Sequence, residues 1–294
     1  MPVSYKIDWL TVSVIMIPDT SENNQVSQAS TIPISDILGE VKTEEIHAIP
    51  FYTHGTEYRY GKVFVNERKP EQKRLIVVSG DDWTNMALDG LAPNVVLGRL
   101  IAYPEANVTR IDFAIDIKDE PCRITRLLAS WRAGIMKTTA ESVQRVGRTG
   151  KNGKDMGQTV YIGSRSSERM VRVYDKGAQQ AVEGQWTRIE IELKGNWAMA
   201  TAKAMALEGV VETGKAAIRQ FVITGVDWFD NAVARGRGNG YIVPNKRPIT
   251  NHEKWLMEVA VPAVIKAIAS DMSWVEQSVL GAILAKHRGD GTDV

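Results

Sequence analysis

A single cysteine, Cys122, in 294 residues leaves no disulfide framework and no zinc site built on cysteines. No run of about 18 apolar residues is present, so no segment reads as a membrane-spanning helix. The first residues carry no basic segment followed by an apolar core, and a cytoplasmic location is the expectation. Neither sign of charge dominates: 36 Lys+Arg stand against 35 Asp+Glu, a net of +1. Such a balance gives no whole-protein field that would draw a polyanion. A repeat at a fixed solenoid period is missing, and so is the GxxxxGK[ST] spacing of a Walker loop. What remains is 44% hydrophobic and 24% charged residues, the composition of an ordinary globular protein. Its length suits two domains or one large α+β domain with additions.

Charge is informative in its placement. Between residues 143 and 176 stand eight cations (Arg145, Arg148, Lys151, Lys154, Arg165, Arg169, Arg172, Lys176) and three acids (Asp155, Glu168, Asp175), a local net of +5. A second basic segment runs from Arg235 through Arg237 to Lys246 and Arg247. Local basic stripes on a neutral chain suggest a polyanion bound at one place.

Hydrophobic periodicity predicts a strand at 7–14, a polar loop at 19–30, and strands at 57–66 and 74–79. Turns are expected at Lys69-Pro70 and at Ser79-Gly80-Asp81-Asp82. Helical spacing covers 94–103, ending at Pro104, and 121–134, with Pro at its start and Gly at its end. Strands are expected at 109–117, 158–163, 169–175 and 186–193, then helices at 196–212 and 214–224 and a mostly helical tail at 251–287. Strand runs broken by helices, without regular βαβ alternation, predict an α+β fold: a mostly antiparallel central sheet, flanking helices and a helical C-terminal region. The expected division is 1–230, with a motif core at 109–195, and 231–294.

Three strands carry ionisable groups at a spacing of two. In Arg110-Ile111-Asp112-Phe113-Ala114-Ile115-Asp116, the polar residues share one face and the apolar ones the other. Arg188-Ile189-Glu190-Ile191-Glu192-Leu193-Lys194 repeats the pattern. Carboxylates at i and i+2 on two strands could assemble a site for a hard divalent cation, Mg²⁺ or Mn²⁺. The same alternation also describes a plain solvated sheet face. The third strand is Met170-Val171-Arg172-Val173-Tyr174-Asp175-Lys176, in which Arg172, Tyr174 and Lys176 share a face. Flanking cations favour a phenolate, and the expectation is a Tyr174 pKa below the ordinary value of about 10. The alternative is a structural strand tyrosine. Upstream, Tyr161-Ile162-Gly163-Ser164-Arg165-Ser166-Ser167 offers N–H groups, hydroxyls and a guanidinium to a phosphate. The stretch 145–154 reads as a flexible basic loop able to follow a nucleic-acid backbone, as does 235–241, where Tyr241 could stack on a base.

Taken in order, these segments resemble the replication initiation factor family (Rep_trans), which comprises plasmid rolling-circle initiators, relaxases of conjugative elements and filamentous-phage replication proteins. The resemblance runs from Ile7-Asp8-Trp9-Leu10-Thr11 through Val77-Val78-Ser79-Gly80, the 110–116 strand, 159–165, Arg172-Val173-Tyr174-Asp175-Lys176 and the 188–194 strand. It implies a DNA strand-nicking and rejoining enzyme in which a tyrosine forms a 5′-phosphotyrosyl link and a divalent metal polarises the phosphate. Relatives of other nicking families hold that metal with a His-hydrophobic-His pair. Here His47, His54, His252 and His287 are scattered, so the acidic strands are the expected ligand source. The resemblance points to Tyr174 as nucleophile, with Tyr161 as substitute, and to Asp112, Glu190 and Glu192 as metal ligands, Asp116 less so. Arg165, Arg172, Arg145, Arg148 and Lys151 are expected on DNA phosphates, and Lys176 as proton donor to the leaving 3′ oxygen. The implied partner is single-stranded or cruciform origin DNA. The C-terminal helices are candidates for packing on the sheet, for homodimer formation, for binding origin duplex or for recruiting a host helicase. A conjugative relaxase and a non-catalytic DNA-binding protein on the same scaffold are the rival readings.

Overall fold

The computed structural model describes residues 2–15, 33–47, 49–68, 73–103, 105–118, 123–153, 155–180, 182 and 184–234. The polar loop at 19–30, the Lys69-Pro70 turn, Cys122, the basic segment from Arg235 and the tail helices at 251–287 lie outside the described residues. The chain divides into two units, Met1–Asn245 and Lys246–Val294, and all the described residues belong to the first.

A first series of elements comprises β1 (Val3–Val14), α1 (Ser35–Leu38), β2 (Val41–Thr43), β3 (His54–Tyr58), β4 (Gly61–Val65), β5 (Arg74–Ser79), α2 (Gly80–Leu88) and α3 (Pro93–Ile101). A second comprises β6 (Asn107–Lys118), α4 (Thr125–Arg132), β7 (Lys137–Thr138), β8 (Val143–Thr149), β9 (Asp155–Ile162), β10 (Arg169–Asp175), α5 (Lys176–Gln180) and β11 (Trp186–Lys194). It continues through α6 (Gly195–Glu208), α7 (Val210–Phe221), β12 (Val222–Ile223) and α8 (Asp227–Ala232). Among the described residues ten strands form one antiparallel sheet in the order β2-β3-β4-β5-β1-β6-β11-β10-β9-β8, and β7 pairs with β12. The order is a palindrome. Outward from the central β1/β6 pair, each half places its first strand, then its last, then steps back through its meander to the edge. Two helices follow the last strand of each half. The fold is α+β, as the pattern predicts.

Alternation sets which face is core. Ile111, Phe113, Ile115 and Ile117 of β6 and Ile189, Ile191 and Leu193 of β11 are buried on the side covered by Ala198, Ala202 and Met205 of α6 and by Ala217, Ile218 and Phe221 of α7. Each large apolar side chain so buried contributes about 1.5–3 kcal/mol. At Gly214 of α7 a Cβ would stand 2.4 Å from the Phe113 ring, so the helix backbone rests on that ring and glycine is required there.

Four expectations change. The run 57–66 is two strands, because the chain turns at Arg59–Tyr60 and pairs Tyr58 with Gly61. Ser79 to Asp82 starts a helix instead of making a turn. The Ser79 hydroxyl accepts from the Asp82 N–H (3.3 Å) and the Asp82 carboxylate accepts from the Ser79 N–H (2.8 Å), a capping box. The helix expected over 121–134 is shorter, Thr125–Arg132. The basic stretch 145–154 is a hairpin and not a flexible loop: Gln144 pairs with Tyr161 and Val146 with Thr159, and a 3₁₀ turn at Lys151–Gly153 closes it.

Candidate functional site

The site lies on the opposite, polar face of the second half of the sheet. Antiparallel register arranges its side chains in rows. One row runs Asp116, Arg188, Tyr174, Thr159; the next Ala114, Glu190, Arg172, Tyr161; a third Asp112, Glu192, Met170. Strand alternation alone therefore brings the sequence-predicted Tyr174, Arg172 and Glu190 side by side.

Their contacts are close. The Tyr174 hydroxyl donates to one Glu190 oxygen at 3.1 Å, and Arg172 donates to the other in a short contact. Glu190 is fully buried. Arg172 also reaches Asp112 at 3.4 Å. Burial, and then the negative charge of Glu190, hold the Tyr174 phenol above its ordinary value, outweighing Arg188 and Arg172. This corrects the expectation of a phenol acidified by its flanking cations: both guanidinium groups are committed to carboxylates. Lys176 opens α5 instead of ending the strand, donates to Gln179 at 3.2 Å and stands 5.8 Å from the centre of the Tyr174 ring. Burial and the neighbouring Arg188 lower its pKa.

Tyr174, Lys176, Glu190, Arg172, Tyr161 and Arg165 all line one cavity of about 480 Å³. Arg165 donates to the Tyr161 hydroxyl at 3.2 Å and covers its ring. The serines after Gly163 bond among themselves, Ser164 to Ser166 and Ser167 to the Ser164 carbonyl, so their hydroxyls already have partners.

Asp112 and Glu192 do not line that cavity. They face each other across β6 and β11, a like-charge pair bridged by Arg110, which stands 2.6 Å from Asp112 and 3.0 Å from Glu192. Lys194 holds the other Glu192 oxygen at 2.6 Å. Burial pushes the Asp112 carboxyl up to about 7 even so. Asp116 is held below its ordinary value: burial opposes this, but two hydrogen bonds from Arg188 (2.7 Å each) and one from Trp186 (2.8 Å) prevail. Of the other predicted phosphate ligands, Arg145 lies on β8 away from the cavity and Lys151 on the exposed hairpin turn; the Arg148 side chain is outside the described ones.

Sequence reasoning missed Asp8 as a site residue. A bulge between Ile7 and Trp9 swings Asp8 into the cavity lining, where it meets Arg188 at 2.9 Å and Lys6 at 3.3 Å. Gly80 makes room for it, since a Cβ there would stand 2.6 Å from the Asp8 carboxylate. The signal was present: the buried set shifts parity from Ile7 to Leu10, Val12 and Val14.

The cavity thus joins a tyrosine bonded to a buried carboxylate with three cations, Arg165, Arg172 and Lys176, and three acids, Asp8, Asp175 and Glu190. The family model described as replication initiation factor matches residues 106–267, and the chain belongs to that family. The matched stretch begins at the second half of the fold, so the Ile7–Thr11 and Val77–Gly80 segments lie outside it. A protein of Bacillus subtilis (strain 168) assigned as a DNA relaxase, NicK, is 26% identical over 193 residues, which cover 55% of this chain and 53% of that protein. The chain thus spans about half the length of that relative. A solved rolling-circle replication initiator from Geobacillus stearothermophilus superposes with a TM-score of 0.62 at 20% identity, covering 76% of this chain and 87% of that one, a likeness of fold. Among the described residues no helix is long and apolar enough to cross a membrane.

Proposed function

We propose that this chain nicks and rejoins one strand of origin DNA to start rolling-circle replication, with Tyr174 as the nucleophile. The observation that carries this reading is the hydrogen bond from Tyr174 to Glu190, whose other oxygen Arg172 pins. Nucleophile, base and orienting group stand in sequence, as covalent catalysis by a hydroxyl needs. In the forward step the Tyr174 oxygen attacks the phosphorus as its proton passes to Glu190. The bond from phosphorus to the 3′ oxygen breaks, and Lys176 supplies the proton that makes the leaving group a 3′-hydroxyl. Arg165 at the cavity rim takes the phosphate charge. Rejoining is the reverse, with Glu190 returning its proton to the phenol.

The divalent metal implied by the resemblance does not fit the expected donors as they stand. Asp112, Glu190 and Glu192 are each engaged by Arg110, Arg172 or Lys194, and among the described residues no group of three acidic, histidine or cysteine side chains is placed to hold an ion. Glu190 is accordingly given the role of base, and no step passes through a metal.

The relaxase assignment of the B. subtilis relative supports a second reading with the same chemistry at a transfer origin. The test is a covalent protein–DNA adduct on a denaturing gel. Wild type, Tyr174→Phe and Tyr161→Phe are incubated with single-stranded oligonucleotides tiling the replicon that encodes the chain, with Mn²⁺ or EDTA. An adduct lost only in Tyr174→Phe is the expected result. Loss only in Tyr161→Phe moves the nucleophile, and DNA binding with no adduct from any protein sinks the enzymatic reading.

A further inference from the structure

We propose a second single-strand subsite in the groove between α4 and β8, where the nicked strand leaves the cavity over the sheet edge and stacks one base on Trp131. The proposal rests on the DNA-nicking reading above and adds to it the path of the bound strand.

The groove has a volume of about 790 Å³ and is lined by Leu128, Trp131, Arg132, Val143, Gln144 and Arg145, with Thr125 and Ala129. Trp131 is half-buried, packs against the core and lines the groove, while Arg132, Gln144 and Arg145 are exposed. No acidic residue lines it. Residues 121–140 contain four cations, Arg123, Arg126, Arg132 and Lys137, and no Asp or Glu. None of these four, nor Arg145, has an ion pair among the described residues, whereas Arg110, Arg172 and Arg188 in the site are all committed to carboxylates. Arg132 and Arg145, which form no ion pair among the described residues, line the groove with a half-buried indole, a surface for a chain that carries both phosphates and unpaired bases, and single-stranded nucleic acid has that chemistry.

Continuity with the cavity comes from β8, the outermost strand of the sheet. Its Val146 lines the cavity beside Tyr161, and its Val143, Gln144 and Arg145 line the groove. At about 3.3 Å per residue, the groove begins within two nucleotide lengths of the cavity wall. A single strand is flexible enough to turn over such an edge; a duplex is not.

The test uses the full chain and a 5′-fluorescein 20-nucleotide single strand of mixed sequence, read by fluorescence anisotropy. Trp131→Leu, which keeps apolar volume but removes the aromatic face, should weaken binding about 5- to 150-fold, and Trp131→Phe should keep most of it. Arg132→Gln with Arg145→Gln should lower the slope of log affinity against log salt by about 1.4. Scanning one abasic site along the strand should reveal a position that matters in wild type and ceases to matter in Trp131→Leu. The wild-type scan shows whether any base is held, and its loss in Trp131→Leu assigns that base to the groove; where Trp131→Leu does not fold, the salt slope of the pair Arg132 and Arg145, both exposed, decides. Equal affinity of Trp131→Leu and wild type, an abasic scan with no sensitive position, or an unchanged salt slope in the arginine pair would overturn the subsite. So would a duplex of the same sequence that binds more tightly and shows the same losses. None of these readouts is adduct formation, so an absent adduct refutes the nicking chemistry and a flat binding series refutes the groove.

Discussion

Replacing Glu190 by glutamine removes a charge from the centre of the site and almost no volume. The side chain is fully buried, so the change is not softened by solvent. Gln keeps an oxygen for Arg172 and presents an amide to the Tyr174 hydroxyl, so both hydrogen-bonding partners remain served. What is lost is the charge on the acceptor, worth about 1.5–3 kcal/mol for a hydrogen bond to an ionised group. The full penalty for orphaning a buried ion, about 3–5 kcal/mol, is not expected, because Arg172 still has Asp112 at 3.4 Å. Urea unfolding should therefore show a folded protein with a lowered midpoint. Adduct formation should fall much further, by roughly 10²–10⁴, the usual contribution of a positioned general base. Its pH dependence should change as well. With no internal acceptor, the phenol must lose its proton to solvent, and since burial keeps it above its ordinary value, the variant's rate should climb about tenfold per pH unit through the alkaline range. Single-turnover adduct assays on denaturing gels, run beside the unfolding curves, measure both quantities. A Glu190→Gln protein that forms adduct at the wild-type rate would refute the assignment of Glu190 as base.

Three further outcomes follow from the same geometry. Asp116, whose pKa is depressed, contributes stability that is present above its ordinary value of 3.8 and lost as pH falls below it. Asp116→Asn should flatten the acid limb of a stability–pH curve, and an unchanged limb would dismiss the Arg188 pairing as its source. Asp112, raised to about 7, has the opposite sign: its contribution is present below 3.8 and lost as pH rises through about 7. Asp112→Asn should flatten the decline between those values, which chemical denaturation at a series of pH values reads directly. Gly214→Ala drives a methyl into the Phe113 ring and should cost about 1–3 kcal/mol in urea unfolding; a cost near zero would mean that α7 does not rest on that ring.

Much of this was legible in the sequence because β-strands announce their faces. The polar sets of 110–116 and 188–194 and the Arg172/Tyr174 pair emerge from period-two spacing alone, and the register then only had to align them. The partners of each charge were not legible. Which of the neighbouring cations and acids meet depends on cross-strand register, so spacing leaves the carboxylates open between a metal site and a charged sheet face, and the structure shows them in ion pairs. Nor was the state of Tyr174: spacing shows two flanking cations, but not that both cations near its hydroxyl are spent elsewhere. The stretch 145–154 reads as a loop because Gly147, Gly150 and Gly153 look like breakers, while the ladder of β8 to β9 is set by cross-strand register.

The palindromic sheet allows the two halves of the fold to be compared position by position, and only one carries the ionic residues of the candidate site. Ser79-Gly80 ends β5 at the start of α2 as Lys194-Gly195 ends β11 at the start of α6. Counting back, Leu75 and Val77 occupy the positions of Glu190 and Glu192, and Phe64, the partner of Leu75, occupies that of Arg172. The first half has put apolar side chains where the second has ions. By the same register Thr11 of β1, the partner of Val77, occupies the position of Asp112, the partner of Glu192. Asp8, on a strand of that apolar half, serves the other one: its bulge aims it at Arg188, which also pairs with Asp116 in Tyr174's row. The stretch that matches the family begins at 106, where the ionic half begins, and the first half contributes a central strand and one carboxylate to a site built by the second.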